Sequence, residues 1–161
     1  MIFVDIDGTL IDFYGTARKF DIELKINEFG KWKWGEPPYP APEEFYAQAE
    51  MQPWFVPLMQ KFWIAALPPT FITKDHAETK RKFISERMPL KPSNFGLNTK
   101  HFPFLEAPDK SAHCRHPIDL LIDDSAAECE AWRGRGGLAW HFDLASENPF
   151  ENFLKWWRLK L

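Results

Sequence analysis

The sequence predicts an α/β fold: a doubly wound, mostly parallel sheet with a small helical cap inserted after the first strand. Three observations predict it. Short apolar runs of β type alternate with helical patterns, which requires crossover connections and therefore parallel strands. Acidic or hydroxyl residues stand at the C-terminal ends of those runs, where open α/β sheets place their ligand crevice. One long segment interrupts the alternation with helical spacing of its own. A chain of 161 residues has room for one well-buried core with an insertion folded on it, but not for two independent domains. We therefore divide it into a core of residues 1–12 and 66–161 and a cap of residues 13–65.

Taken in order, the first strand is Ile2-Phe3-Val4, which runs into the acidic stretch Asp5-Ile6-Asp7-Gly8-Thr9. In the insertion a helix is predicted from Thr16 to Phe29, followed by an irregular Trp- and Pro-rich connection, KWKWGEPPYPAP. A short helix over Glu43 to Met51 comes next, and then a helix from Pro53 on which Phe55, Leu58, Met59, Phe62 and Trp63 recur at helical spacing. The core resumes with the strand Thr70-Phe71-Ile72-Thr73. A helix from Asp75 to Met88 follows, with Asp75 as N-cap, Glu78 completing a capping box, and Ala77, Phe83, Ile84 and Met88 on one face. A weaker strand is read from His101 to Leu105, and a strong one in Leu120-Leu121-Ile122. The remaining elements are a helix from Ser125 to Arg133, a strand from Leu138 to Phe142 and a helix from Pro149 to Lys160.

Composition narrows the function classes. Charged residues make up 27% and hydrophobic residues 45%, ordinary globular values, but 16% aromatic content with eight Trp is high enough to suggest that some rings line a pocket. The net charge of -3 supplies no basic field for a long polyanion, so the expected partner is small, and neither a long nucleic acid nor a membrane. Two cysteines, Cys114 and Cys129, are too few for a disulfide scaffold. With no basic-then-apolar leader and no run of membrane-spanning length, the expectation is a cytoplasmic protein.

Polar groups gather at the strand ends. Asp5 and Asp7 follow the first strand, Thr73 ends TFIT, Asp123 and Asp124 end DLLIDD, and Lys110 stands in PDKS just before that last strand. Several carboxylates converging in a cleft repel one another unless a cation neutralises them. An oxygen-only donor set beside room for a phosphate suits Mg2+ better than zinc. Lys110 and Thr73 then complement phosphate oxygens.

DIDGT, the strand-terminal Thr73, Lys110 and IDDS, in that order, resemble the four motifs of the haloacid dehalogenase-like phosphatase superfamily. The pairing of DK with DLLIDD and the cap after the first motif look closest to the 5'(3')-deoxyribonucleotidases, although Ser125 stands where that group would have a basic residue. The resemblance implies a Rossmann-like core and a Mg2+-dependent phosphomonoesterase working through an aspartyl-phosphate. Asp5 would be the nucleophile and Asp7 the acid and base, both facing the phosphate because residues i and i+2 of a strand point the same way. Gly8 and the amides after it, including Thr9, would approach the phosphate, and Thr73 and Lys110 would cradle it. The metal would be held by Asp5, the Asp7 carbonyl oxygen and Asp124, with Asp123 supporting.

The substrate implied is a small phosphorylated molecule, a nucleoside monophosphate above all, because a cap must recognise the leaving group and aromatic faces stack on bases. Phe13, Trp34, Trp54 and Phe55, with Trp32, are the candidates. Sugar phosphates are the alternative, and a non-catalytic phosphate-binding module is a third reading that the presence of Asp7 disfavours. Thr70 competes with Thr73, and Lys100 with Lys110. The group His113, Cys114 and His116 lacks a fourth ligand for zinc. Lys80-Arg81-Lys82 and Arg133 with Arg135 read as solvated helix faces.

Overall fold

The computed structural model describes residues 1–26, 32–34, 39–87 and 103–159, with the backbone alone at 26, 32–34 and 63. Five parallel strands form the sheet: β1 (Ile2–Asp5), β4 (Thr70–Thr73), β5 (Phe104–Glu106), β6 (Leu120–Asp123) and β7 (Leu138–His141). Their spatial order is β5-β4-β1-β6-β7, so the chain builds outward from β1 in one direction and then in the other. The reversal falls between β1 and β6. That seam is where a doubly wound sheet opens a crevice at the C-terminal strand ends.

Alternation along the strands sorts the core into two layers. Ile2 and Val4 of β1, Phe71 of β4, and Leu120 and Ile122 of β6 face one way; Phe3, Ile72 and Leu121 face the other. The second face is covered by α5 (Ala126–Gly134), which contributes Cys129 and Trp132, the latter packed on Phe3 with ring centroids 5.1 Å apart. The first face is broader and carries most of the apolar mass. Onto it pack α4 (Ala77–Arg87) through Phe83 and Ile84, and α6 (Pro149–Arg158) through Phe153.

The insertion packs on that same first face. It holds α1 (Phe13–Lys19), a two-stranded antiparallel ribbon of β2 (Leu24–Ile26) and β3 (Trp32–Trp34), α2 (Pro42–Gln48) and α3 (Phe55–Ile64). Phe13, Ala17, Phe45, Tyr46, Leu58, Met59 and Phe62 join one continuous apolar cluster with the sheet. The predicted helix over 16–29 is corrected: α1 starts at Phe13, capped by the Asp12 carboxylate accepting from Gly15 N at 2.9 Å, and ends by Lys19. The chain turns at Asp21, in the left-handed region with φ 52°, and then extends; residues 27–29 of that reading lie outside the described residues.

Other boundaries move by a residue or three. The helix read from Pro53 begins at Phe55, and the weak strand lies at 104–106. Residues 101 and 102, like Met88 and Lys100, fall outside the described set. Among the described residues no helix is long and apolar enough to cross a membrane.

Trp132 is fully buried, and its indole N–H donates to the Asp119 carbonyl at 3.1 Å. Trp132→Ala should lower unfolding free energy by about 3–5 kcal/mol, read from urea denaturation.

Candidate active site

Register brings the polar strand ends together. Asp5 lies opposite Ile72, so Thr73 extends one residue past it; Val4 lies opposite Ile122, which sets Asp123 beside Asp5 across the seam. Lys110 arrives on a short 3-10 turn (Lys110–His113) just before β6. Its ammonium sits between the two strands, hydrogen-bonded to Asp5 Oδ1 and, at 2.7 Å, to Asp123 Oδ2. All three groups are buried. Asp5, Asp7, Thr73, Lys110, Asp123 and Asp124 all line one cavity of about 150 Å³.

The two acids of DLLIDD differ in what they have to spare. Asp123 Oδ1 accepts from Ser125 N at 2.8 Å and Oδ2 takes Lys110, so both oxygens are engaged. Asp124 Oδ2 accepts from the Tyr14 hydroxyl at 2.5 Å, leaving Oδ1. Ser125, at the position where a basic residue was sought, instead caps α5. Carboxylate oxygens of Asp5, Asp123 and Asp124 lie within 4.8 Å of one another, a hard-oxygen set suited to a divalent cation, with Asp5 and Asp124 keeping an unengaged oxygen for it.

Electrostatics reflect the crowding. Burial pushes the Asp5 carboxyl up, opposed by Lys110 and reinforced by Asp123, Asp124 and Asp7. Burial and then Asp123 push Asp124 up to about 7, against the Tyr14 hydrogen bond and Lys110. For Lys110 burial would lower the ammonium, but Asp123 and Asp5 outweigh it and hold it above its ordinary range. Five carboxyls, Asp5, Asp7, Asp75, Asp123 and Asp124, thus meet two buried ammonium groups, Lys110 and Lys80.

Gly8 closes the loop tightly. It is left-handed, φ 75°, and a Cβ there would fall 2.1 Å from Asp124 Oδ2. The insertion braces the same loop: Gln52 Nε2 donates to the Gly8 carbonyl at 3.0 Å, and Trp54 Nε1 to the Thr9 carbonyl at 2.7 Å.

Several readings change here. Phe55 is buried in the apolar cluster and reaches none of the cleft. The Thr9 side chain is fully buried and its carbonyl accepts from Trp54, contacts that leave the expected role of its amide untouched. Trp54 stacks against Phe142, 5.0 Å between centroids, and lines a neighbouring cavity. Phe13 lines the cleft itself. The side chains of Trp32 and Trp34 lie outside the described residues. Thr70 stands at the opposite strand end from Thr73.

The largest correction is Lys80. The reading of Lys80-Arg81-Lys82 as a solvated face fails for its first member, which is 0% exposed. Its ammonium lies 2.7 Å from Asp7 Oδ2, 2.6 Å from Thr73 Oγ1 and 2.8 Å from Asp75 Oδ1. Asp75 is therefore a partner of Lys80 instead of the helix cap, and Ala77 N donates to Glu106 Oε2 at 3.0 Å. A signal for this was present: Lys80 precedes Phe83 and Ile84 by three and four residues and follows Ala77 by three, so it lies on the apolar face.

Neither a family model nor a curated protein matches the sequence. Among solved structures, a haloacid dehalogenase-like hydrolase from Streptococcus pneumoniae is similar, with a TM-score of 0.50 and 15% identity, over 99% of this chain and 97% of that one. The two share a fold along nearly their whole length.

Two outcomes are expected. Gly8→Ala, which meets both left-handed strain and the Asp124 carboxylate, should destabilise the protein by about 2 kcal/mol or more in thermal unfolding. Asp124 is raised from 3.8 to about 7, so its stabilising contribution to the metal-free fold is complete below about pH 4 and fades as pH climbs through about 7. The unfolding midpoint of metal-free protein should fall between about pH 5 and about pH 8, and a divalent cation should raise it more at the higher pH.

Proposed function

We propose that the chain is a Mg2+-dependent phosphomonoesterase that works through an aspartyl-phosphate on Asp5 and acts on nucleoside monophosphates. The observation carrying this reading is the convergence, at the switch point of a fold shared with a haloacid dehalogenase-like hydrolase, of Asp5, Asp123 and Lys110 in one buried cluster beside Asp7 and Thr73.

The chemistry follows from the positions. An Asp5 oxygen attacks phosphorus; the ester P–O bond breaks, its electron pair stays on the leaving oxygen, and that oxygen takes a proton from the Asp7 carboxyl. Water then attacks the phosphoryl group, gives its proton to Asp7, and the P–O bond to Asp5 breaks, restoring the carboxylate. Lys110 uses two of its three N–H donors on Asp5 and Asp123 and offers the third to a phosphate oxygen. A magnesium ion, where Asp5 and Asp124 would hold it with the Asp7 carbonyl, supplies charge neutralisation at the phosphate. Burial raises Asp5, so neutralisation of the cluster also favours the ionised nucleophile.

Asp7 supports the choice of substrate. The leaving group must depart on the side where Asp7 stands, and Asp7 also lines a second cavity of about 290 Å³ walled by Phe13, Tyr39, Phe45, Tyr46 and His76. Those rings suit a nucleobase. A second reading, a sugar phosphate, draws on a cavity of about 700 Å³ that meets the site at Asp124 and Tyr14 and carries Asp12, Arg18, Gln52, His141 and Asp143, groups suited to hydroxyls.

Phosphate release from a panel of nucleoside monophosphates and sugar phosphates, with and without Mg2+, decides between them. Asp5→Asn should abolish Mg2+-dependent release, a loss on the order of 10³-fold or more. Release that survives the substitution would sink the mechanism, and the panel's ranking selects the substrate class.

A further inference from the structure

Two buried lysines flank the cleft, and their donors are spent differently. An ammonium has three N–H groups. Lys110 commits two to Asp5 and Asp123. Lys80 commits all three, to Asp7, Thr73 and Asp75, at 2.6–2.8 Å, and lies 5.4 Å from the Tyr46 ring centroid. Lys80 therefore has no donor left for a phosphate oxygen, although it stands within one side chain of the site.

Its position relative to Asp7 is more telling. Asp7 sits beyond the end of β1, on a loop that must leave its side chain accessible to a substrate. The Asp7 carboxyl is held from two other elements: Lys80 on α4 of the core, and the Tyr46 hydroxyl on α2 of the insertion, 3.0 Å from Oδ1 and 3.2 Å from Oδ2. Three contacts, two from the Tyr46 hydroxyl and one from Lys80, thus meet the carboxyl from opposite parts of the chain.

We propose that Lys80 is a positioning residue for Asp7: together with the Tyr46 hydroxyl it clamps the carboxyl, from the core on one side and the insertion on the other, where it can meet a leaving-group oxygen. This rests on the phosphatase reading. With its three donors engaged by protein oxygens, Lys80 acts on turnover through Asp7.

The test exploits leaving groups. kcat/KM is measured with a nucleoside 5'-monophosphate, whose alkoxide needs a proton to depart, and with p-nitrophenyl phosphate, whose phenolate departs almost unaided. The variants are Lys80→Gln, which removes the charge, is one atom shorter and keeps two N–H donors where the ammonium has three, and Tyr46→Phe, which removes one hydroxyl and keeps the packing. Lys80→Gln should lose about 10²-fold on the nucleotide and roughly tenfold less on the nitrophenyl ester, with Tyr46→Phe showing the same asymmetry more weakly. Equal losses on both esters, or none, overturn the proposal, because a merely structural role does not sense the leaving group. Crystal structures of both variants give a second readout, in which the Asp7 carboxyl should leave its present orientation; finding it unmoved also overturns the proposal. If the wild type cleaves no ester, the phosphatase reading has failed, and the crystal structures alone judge the clamp. If Lys80→Gln does not fold, Tyr46→Phe carries both comparisons.

Discussion

Asp5 and Asp123 end neighbouring strands, and Lys110 Nζ lies between their carboxylates. Without it, two like charges within 4.8 Å would cost about 3 kcal/mol at an effective dielectric of ~20, at the seam where β1 and β6 pair. The sheet can therefore expose its acidic edge only because a cation is built into it. Lys80 does the same on the β4 side, where Asp7 and Asp75 approach Thr73. Asp5 and Asp124 are still pushed up, first by burial and then by the neighbouring carboxylates, against the pull of Lys110. The carboxylate oxygens of Asp5, Asp123 and Asp124 that share this cleft form a hard-oxygen set compatible with a divalent cation.

Much of this was legible in the residues. β1, β4, β6 and β7 were visible as apolar runs because parallel strands buried on both faces read as continuous hydrophobic segments. The convergence of Asp5, Thr73, Lys110 and the DLLIDD pair followed from strand order once strand-terminal polar groups were noticed. Other features depend on tertiary packing. Lys80 looks solvated beside Arg81 and Lys82 because its helical spacing marks the apolar face but does not name the acidic partners, Asp7 and Asp75, in the loops after β1 and β4. Phe55 looked like a pocket ring because a cap segment was expected to face its substrate, whereas α3 turns that ring into the shared apolar cluster. The overlong first helix failed for a local reason: Asp12 supplies a strong start, but the chain turns left-handed at Asp21.

The insertion is also joined to the core by backbone. Asp12 N donates to the Glu50 carbonyl at 2.9 Å, and Gln52 N to the Leu10 carbonyl at 2.8 Å, so residues 50–52 run alongside the loop that follows β1. Tyr46 adds a side-chain contact to Asp7 from the same insertion. Apolar packing, main-chain pairing and a contact to the loop after β1 thus all connect the two parts of the chain.

Gln52 and Trp54 turn that attachment into a constraint on how such a protein can diversify. Each spends its side-chain N–H on a carbonyl of the loop that carries Asp7 and Gly8. Replacing the whole insertion with an unrelated one would remove both of those braces from the loop. Divergence is easier residue by residue, along the walls formed by Phe13, Tyr39 and His76, while the anchoring stretch from Glu50 to Trp54 is held fixed. In this chain the insertion is part of the frame that shapes the strand-end loop, not an interchangeable attachment.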